Sequence, residues 1–321
     1  MRSLRKCGKT TALDDPIQVC LGGSGMLRYC CWLLALAAVG STNGTGWAAE
    51  PFPPAALPGV SLGGNLPAGY ETSGIVWHSR VQKLFLVSDG GTVSSMSANG
   101  TGVTNWSVGG DLEGITVARP QSDFVYLGIE NPDSIREFNI ATGQVTRTFN
   151  LTGWMTSSND NSGLEALTFV PDPGNPEGGL FYAGLQATGQ IFVFQLPIVS
   201  STTSTAVTHI RTIPAINGMN NISDMHYEAS QGVLYAIYDP AKLLLAMKPD
   251  GTLTKEWNLP GNDQEGLALK GTDLYIGEDY GNGGDVFRYS PFVGVPEPSP
   301  LVLLAAGLLG LIACAWHRRR K

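Results

Sequence analysis

The chain has 321 residues, of which only 15% are charged and 41 are glycine, and Thr, Val, Ile, Tyr and Phe crowd the short runs between turns. This composition points away from a helical protein and toward many short strands. Between Glu50 and Phe292 there are 24 acidic side chains against 11 basic ones, a net charge of −13, which argues against a nucleic-acid partner because phosphate binding needs clustered cations.

Residues 1–49 read as a leader. Leu33 to Val39 is a short apolar run, followed by small residues and Gly46-Trp47-Ala48-Ala49, the pattern of a secretory signal peptide cleaved near Ala48 or Ala49. The 25 residues before Met26 are long for such a leader, so Met26 is read as the true start. The five cysteines are Cys7, Cys20, Cys30, Cys31 and Cys314, all outside the stretch from Glu50 to Phe292. No disulfide framework is therefore expected there. Residues 50–57, rich in Pro and Ala, read as a linker, and Val60-Ser61-Leu62-Gly63 reads as a strand.

A repeat then fills residues 58–292. Each copy is a strand, a turn and a second strand, seen most plainly in Asp263 to Asp279. Thr72 to Ile75 pairs with Leu84 to Asp89, Leu112 to Ile115 with Val125 to Glu130, Leu164 to Leu167 with Phe181 to Gln186, and Ser223 to His226 with Leu234 to Asp239. A period of about 40 to 50 residues with several short strands is the mark of a β-propeller. The fold is read as all-β with five blades, or six if Thr148 to Ser158 or the Ser/Thr-rich segment from Ser200 to Thr208 conceals a degenerate one. The last copy has only Val286 to Tyr289 as its third strand, so the strand near Val60 is expected to complete it and close the ring.

Two polar series run through the copies. Ser73, Glu113, Glu165, Asp224 and Glu265 open the first strands; Asp89, Glu130, Gln186, Asp239 and Asp279 follow the second strands, four residues after an aromatic. In an antiparallel pair the start of one strand lies beside the end of the next, so both series are placed at one mouth of the central channel. Crowded carboxylates resist joint ionisation unless a cation intervenes. Ca²⁺ suits oxygen-only donors in loose geometry, and Glu113, Glu165, Asp224 and Glu265 are read as its ligands. The other reading is that these acids accept backbone amides at strand ends and simply fix the blades. Zinc is disfavoured by the lack of Cys and the scatter of His. The turn from Asp279 to Asp285 lacks the spacing of an EF-hand loop.

The chain ends with Val295-Pro296-Glu297-Pro298, an apolar run from Leu301 to Trp316 and Arg318-Arg319-Arg320-Lys321. The run is short for a bilayer span, and the basic cluster predicts a cytoplasmic end with the rest of the chain outside. Residues 295–321 closely resemble the PEP-CTERM sorting signal of Gram-negative bacteria. That resemblance implies an exosortase as partner, a transient inner-membrane anchor, and delivery to an envelope or exopolysaccharide matrix of the biofilm type. The motifs Asp111-Leu112-Glu113-Gly114-Ile115, Gly163 to Leu167, Ser223 to Met225 with Leu234 to Asp239, and Asp263 to Leu267 resemble the SdiA-regulated proteins. These are bacterial extracytoplasmic propellers whose motifs are shared in part with phytase-like ones; the resemblance implies the fold and supplies no reaction.

No nucleophile elbow, Cys/His pair or phosphate-cradling loop appears. His226 stands where the other copies show Ile75, Ile115, Leu167 and Leu267. It reads either as a packing residue or, by resemblance to paraoxonase-like lactonases, as a catalytic base beside a calcium-lined mouth. Two functions follow: an exported propeller that binds calcium and a ligand or partner without turnover, or a calcium-dependent ester, lactone or phosphoester hydrolase at the same mouth.

Overall fold

The computed structural model describes residues 49–157, 161–279 and 284–292. The signal peptide, the Pro296-Glu297-Pro298 motif and the apolar run after it lie outside the described residues, as does most of the turn between Asp279 and Asp285.

Five four-stranded antiparallel sheets form the blades. A first short strand, β1 (Val60–Ser61), precedes them. Blade 1 contains β2 (Gly74–His78), β3 (Lys83–Ser88), β4 (Thr92–Met96) and β5 (Thr104–Ser107); blade 2 contains β6 (Leu112–Thr116), β7 (Phe124–Ile129), β8 (Ser134–Asn139) and β9 (Gln144–Asn150). Blade 3 is β10 (Leu164–Pro171), β11 (Gly179–Leu185), β12 (Gln190–Gln195) and β13 (Thr208–Ile213); blade 4 is β14 (Ile222–Glu228), β15 (Val233–Tyr238), β16 (Leu243–Met247) and β17 (Leu253–Asn258). Blade 5 has β18 (Gln264–Lys270), β19 (Asp273–Glu278) and β20 (Asp285–Tyr289) from its own stretch. Its fourth strand is β1, with Val60 opposite Arg288 and Ser61 opposite Phe287. The ring is thus closed by strands from the two ends of the repeat region.

The second strands are continuous apolar runs because each sheet is covered on both faces by its neighbours. Leu84 to Val87, Val125 to Ile129, Leu234 to Tyr238 and Leu274 to Ile276 are all buried. The aromatics at fixed position in these strands, Phe85, Tyr126, Tyr182, Tyr235 and Tyr275, are at most 3% exposed and supply large areas to the core. Fourth strands face water. In β5 and β9 most side chains are exposed or half-buried, which polar Thr, Asn and Gln tolerate at a sheet edge.

Two segments differ from their reading in the sequence. Residues 50–57 are laid against the fold: Phe52 and Ala56 are buried, and the Phe52 ring lies 5.0 Å from Tyr289 and 5.4 Å from Phe292. The apolar Phe outweighs the proline-rich composition around it. The Ser/Thr-rich segment hides no extra blade. Arg147, ion-paired with Glu137, donates from Nη1 to the carbonyls of Pro197, Ser201 and Ser204, and Glu177 accepts the amides of Val199 and Ser200.

Candidate functional site

The first strands of the blades, which line the channel, decide where the polar residues go. In β6, β10, β14 and β18 the pairing with the next strand skips one residue, so Glu113, Glu165, Ser223 and Glu265 each occupy a β-bulge. Blade 1 repeats this with Ser73, whose amide donates to the Val87 carbonyl already opposite Gly74. A bulge re-aims its side chain and bends the strand, and here it turns the side chains of Ser73, Glu113, Glu165 and Glu265 into one cavity of about 160 Å³.

The cavity is lined by those four with Asp89, Asp111, Glu130, Asn161, Gln186 and Asp279. Seven of the lining residues are carboxylates, and no Lys, Arg or His stands among them. Asp111, Glu113 and Glu130 each bring an oxygen to within 4.8 Å of the others. The Gln186 amide donates to Glu165 Oε1 at 3.1 Å, and the Gly163 amide donates to Glu130 Oε1 at 2.7 Å. Such donors are few for so many acids. The Oδ1 atom of Asp279 is buried with no hydrogen-bond partner among the described residues.

The electrostatics follow. Burial, then the Glu165 charge, then Asp111 push the Glu113 carboxyl up to about 11. Burial, then Glu265 and Glu130, raise Glu165 well above the usual range. Burial raises Glu130 to about 7 against the pull of the Gly163 amide, and burial with the charges of Asp279, Asp239 and Asp89 raises Glu265 to about 8. Carboxylates held this way either keep protons or share a cation.

Asp224 is elsewhere. The register places Ser223, not Asp224, in the bulge series; Asp224 stands opposite Ile237, in the row occupied by Gly74, Gly114, Ala166 and Gly266 in the other blades. That row is tight: a Cβ on Gly114 would meet the Leu167 backbone nitrogen at 2.8 Å, and one on Gly266 would meet the Ile75 side chain at 2.7 Å. In blade 4 the row carries a carboxylate instead. Asp224 is wholly buried; its Oδ1 accepts the Met225 amide and its Oδ2 the Leu267 amide, each at 2.7 Å. The amides of Ile75 and Leu167 also pull against the upward push of burial on this carboxyl. Four amides from four blades thus converge on one side chain. For Asp224 the structure favours the role of amide acceptor.

His226 is not brought to the acidic cavity. It is two residues beyond Asp224 on β14, opposite Tyr235, in the row of Val76, Thr116, Thr168 and Ala268. Its Nε2 lies 3.9 Å from Glu228, which the imidazole holds down at about 2. Asp239 is also outside the lining: its Oδ1 accepts the Gln264 amide at 2.9 Å, and its charge bears on Glu265. His78 is fully buried, and His209 packs on Trp154 and Phe194 with Nε2 2.9 Å from Thr212 Oγ1.

Sequence reasoning missed Asp111 and Asn161. Asp111 precedes the bulge by two residues, as do Glu71 and Asp263 in their blades, and that second polar offset was the available signal.

A family model described as phytase-like, "Esterase-like activity of phytase", matches residues 81–237. This stretch holds Asp111, Glu113, Glu130 and Glu165 and stops short of Glu265 and Asp279. No curated protein matches the chain. Among solved structures, the chain is similar to the glutaminyl cyclase of Myxococcus xanthus at 14% identity and a TM-score of 0.49, over 70% of this chain and 93% of that one.

Proposed function

We propose that the acidic cavity is a calcium centre through which this protein binds an anionic or carbonyl-bearing ligand. The observation that carries the reading is the convergence of seven carboxylates on one cavity of about 160 Å³ whose lining holds no basic side chain. The donor set fits the ion. It offers only oxygens, from carboxylates, Asn161, Gln186 and Ser73, which calcium accepts in loose geometry and zinc does not favour. Asp111, Glu113 and Glu130 would hold it, with Glu165 beside them. Bound there, calcium would offer a positive charge to a ligand oxygen. Gln186 orients Glu165, and the Gly163 amide orients Glu130.

A second reading is hydrolysis of an ester or phosphoester at the same cavity. Two observations favour it: the phytase-like match, and the asymmetry of the set, since blade 4 offers Ser223 where three other blades offer Glu. In this reading Glu265, which lines the cavity outside the three acids assigned to calcium and is raised to about 8, transfers the proton, and His226 does not. The leader and the Pro-Glu-Pro tail support export, an exosortase as partner and residence in the outer envelope or its polysaccharide matrix.

The test is a thermal melt of the chain in EGTA and in millimolar calcium, followed by a phosphoester and lactone screen. A calcium-dependent rise that disappears in Glu113→Gln supports the centre; no rise leaves the carboxylates as protonated structural groups. Turnover lost in Glu265→Gln with calcium binding retained would select the second reading.

A further inference from the structure

A second cavity, of about 230 Å³, adjoins the acidic one between the turn after β7 and the loop after β9. Glu130 lines both cavities. Gly163 lines the second, and its amide donates to Glu130 Oε1 at 2.7 Å; a Cβ at this position would collide with Asp133 Oδ1 and come within 3.0 Å of Glu130 Cγ. The sequence therefore keeps its smallest residue beside the side chain that the two cavities share. At 230 and 160 Å³ neither cavity alone reaches the range of about 300 to 1,000 Å³ that encloses a small ligand, but the two together fall within it.

The second cavity differs in chemistry from the first. Thr152, Thr156 and Ser157 bring hydroxyls, Pro132 and Met155 bring apolar surface, and Asp133 brings a carboxylate whose Oδ1 accepts the Leu164 amide at 2.7 Å. The Thr152 hydroxyl donates to Asn150 Oδ1 at 2.6 Å, which leaves its lone pairs as acceptors. No Lys, Arg or His stands among the described lining residues. A second negative charge placed here would face Glu130 and Asp133 with no cation to balance it. A ring with an apolar face and hydroxyls along its edge meets what this lining offers, hydrocarbon for the face and hydrogen-bond partners for the edge.

We propose that the second cavity seats a neutral sugar ring whose single anionic group, a carboxylate or a phosphoryl, is held at the calcium centre. The seat depends on that centre, because Glu130 is the joint between them. As a calcium ligand it fixes where the anionic group lies, and as a wall of the second cavity it fixes where the ring follows. The ligands are then singly charged sugars, a hexuronate or a hexose phosphate. A sugar or polyol bearing further phosphates on the ring is rejected by Glu130 and Asp133.

Isothermal titration of the calcium-loaded full chain with glucuronate, acetate, glucose 6-phosphate, inorganic phosphate and glucose 1,6-bisphosphate tests this, with melts in EGTA and in calcium run alongside. Glucuronate should bind about tenfold tighter than acetate, or glucose 6-phosphate about tenfold tighter than inorganic phosphate, the gain from one or two well-made hydrogen bonds. The pair that shows the gain identifies the anionic group. Glucose 1,6-bisphosphate should bind no tighter than inorganic phosphate. Thr156→Phe, which fills the cavity from an exposed position, should abolish the sugar's advantage and leave the calcium-dependent rise in melting temperature intact. Thr156→Ala, which removes only a hydroxyl and a methyl, should reduce that advantage. Equal affinities within both pairs, an advantage that survives Thr156→Phe, or tighter binding of the bisphosphate would overturn the sugar seat while the calcium response stands. A wild type with no calcium response would overturn the centre and the seat together.

Discussion

Asp224 is buried among amides, whereas Glu113, Glu130, Glu165 and Glu265 are buried largely among one another. Burial pushes every one of these carboxyls upward. For Asp224 the opposing groups are fixed backbone dipoles from four blades, supplied by the fold itself. For the cavity acids the largest neighbours after burial are mostly other acids, so their charge is left for something outside the chain to balance. The difference separates a carboxylate that holds the propeller together from carboxylates that the propeller holds together at some cost. A buried acid is informative only once its donors are counted.

The largest break in this comparison is expected from Asp224→Ala. It strips the acceptor from the buried Met225 and Leu267 amides and should cost roughly 3 to 5 kcal/mol in a denaturant melt, equally with and without calcium. A strong calcium dependence of that loss would place Asp224 with the metal ligands instead. Next is Glu113→Gln. Calcium at a hundred times its Kd should add about 2.7 kcal/mol to the wild type and little to the variant, while without calcium the two should melt alike near neutral pH, because a carboxyl pushed up to about 11 is already uncharged there and Gln replaces it without changing the charge. Calorimetry in EGTA and in calcium checks both.

A pH series sharpens the contrast further. The folded-state values of Glu130, about 7, and Glu265, about 8, lie above the ordinary 4.5. The folded chain therefore holds protons that the unfolded chain releases, and this stabilisation is complete below pH 4.5 and lost as pH rises through 7 and 8. Calcium-free protein should lose melting temperature across that window. Calcium should flatten the loss, and its binding near pH 7 should release protons, measurable in buffers of different ionisation heat. The smallest effect is expected from His226→Ala, about 1 kcal/mol or less, with the calcium response intact. Loss of that response would return His226 to the site.

Much of this was legible in the sequence because the second strands are uniform: an aromatic and, four residues on, a polar side chain recur in register. Four of those five polar residues line the cavity, and Asp239 lies outside it, where it accepts the Gln264 amide. The first strand of blade 4 misled. Matching acid to acid put Asp224 with Glu113, whereas matching apolar to apolar, Ile222 with Leu112 and Met225 with Ile115, gives the observed register and leaves Ser223 at the bulge. Blade 4 carries its acid one residue later, in the row that is Gly or Ala in the other blades, so charge alone pointed to the wrong register. Asp111 escaped because it precedes its strand, where the strand's own alternation does not reach and only the recurrence of Glu71 and Asp263 at the same offset could point to it. The packing of Phe52 escaped because proline and alanine around it mask one aromatic.

The pairing of β1 with β20 also sets a schedule. A strand made near the start of the repeat region must wait for a partner made almost at its end, more than two hundred residues later. Until Arg288 is available, Val60 has no partner, and the first and last blades cannot seal against each other. The ring therefore cannot close until residue 288 has been made, so every blade is complete in sequence before the seam between the first and the last can form.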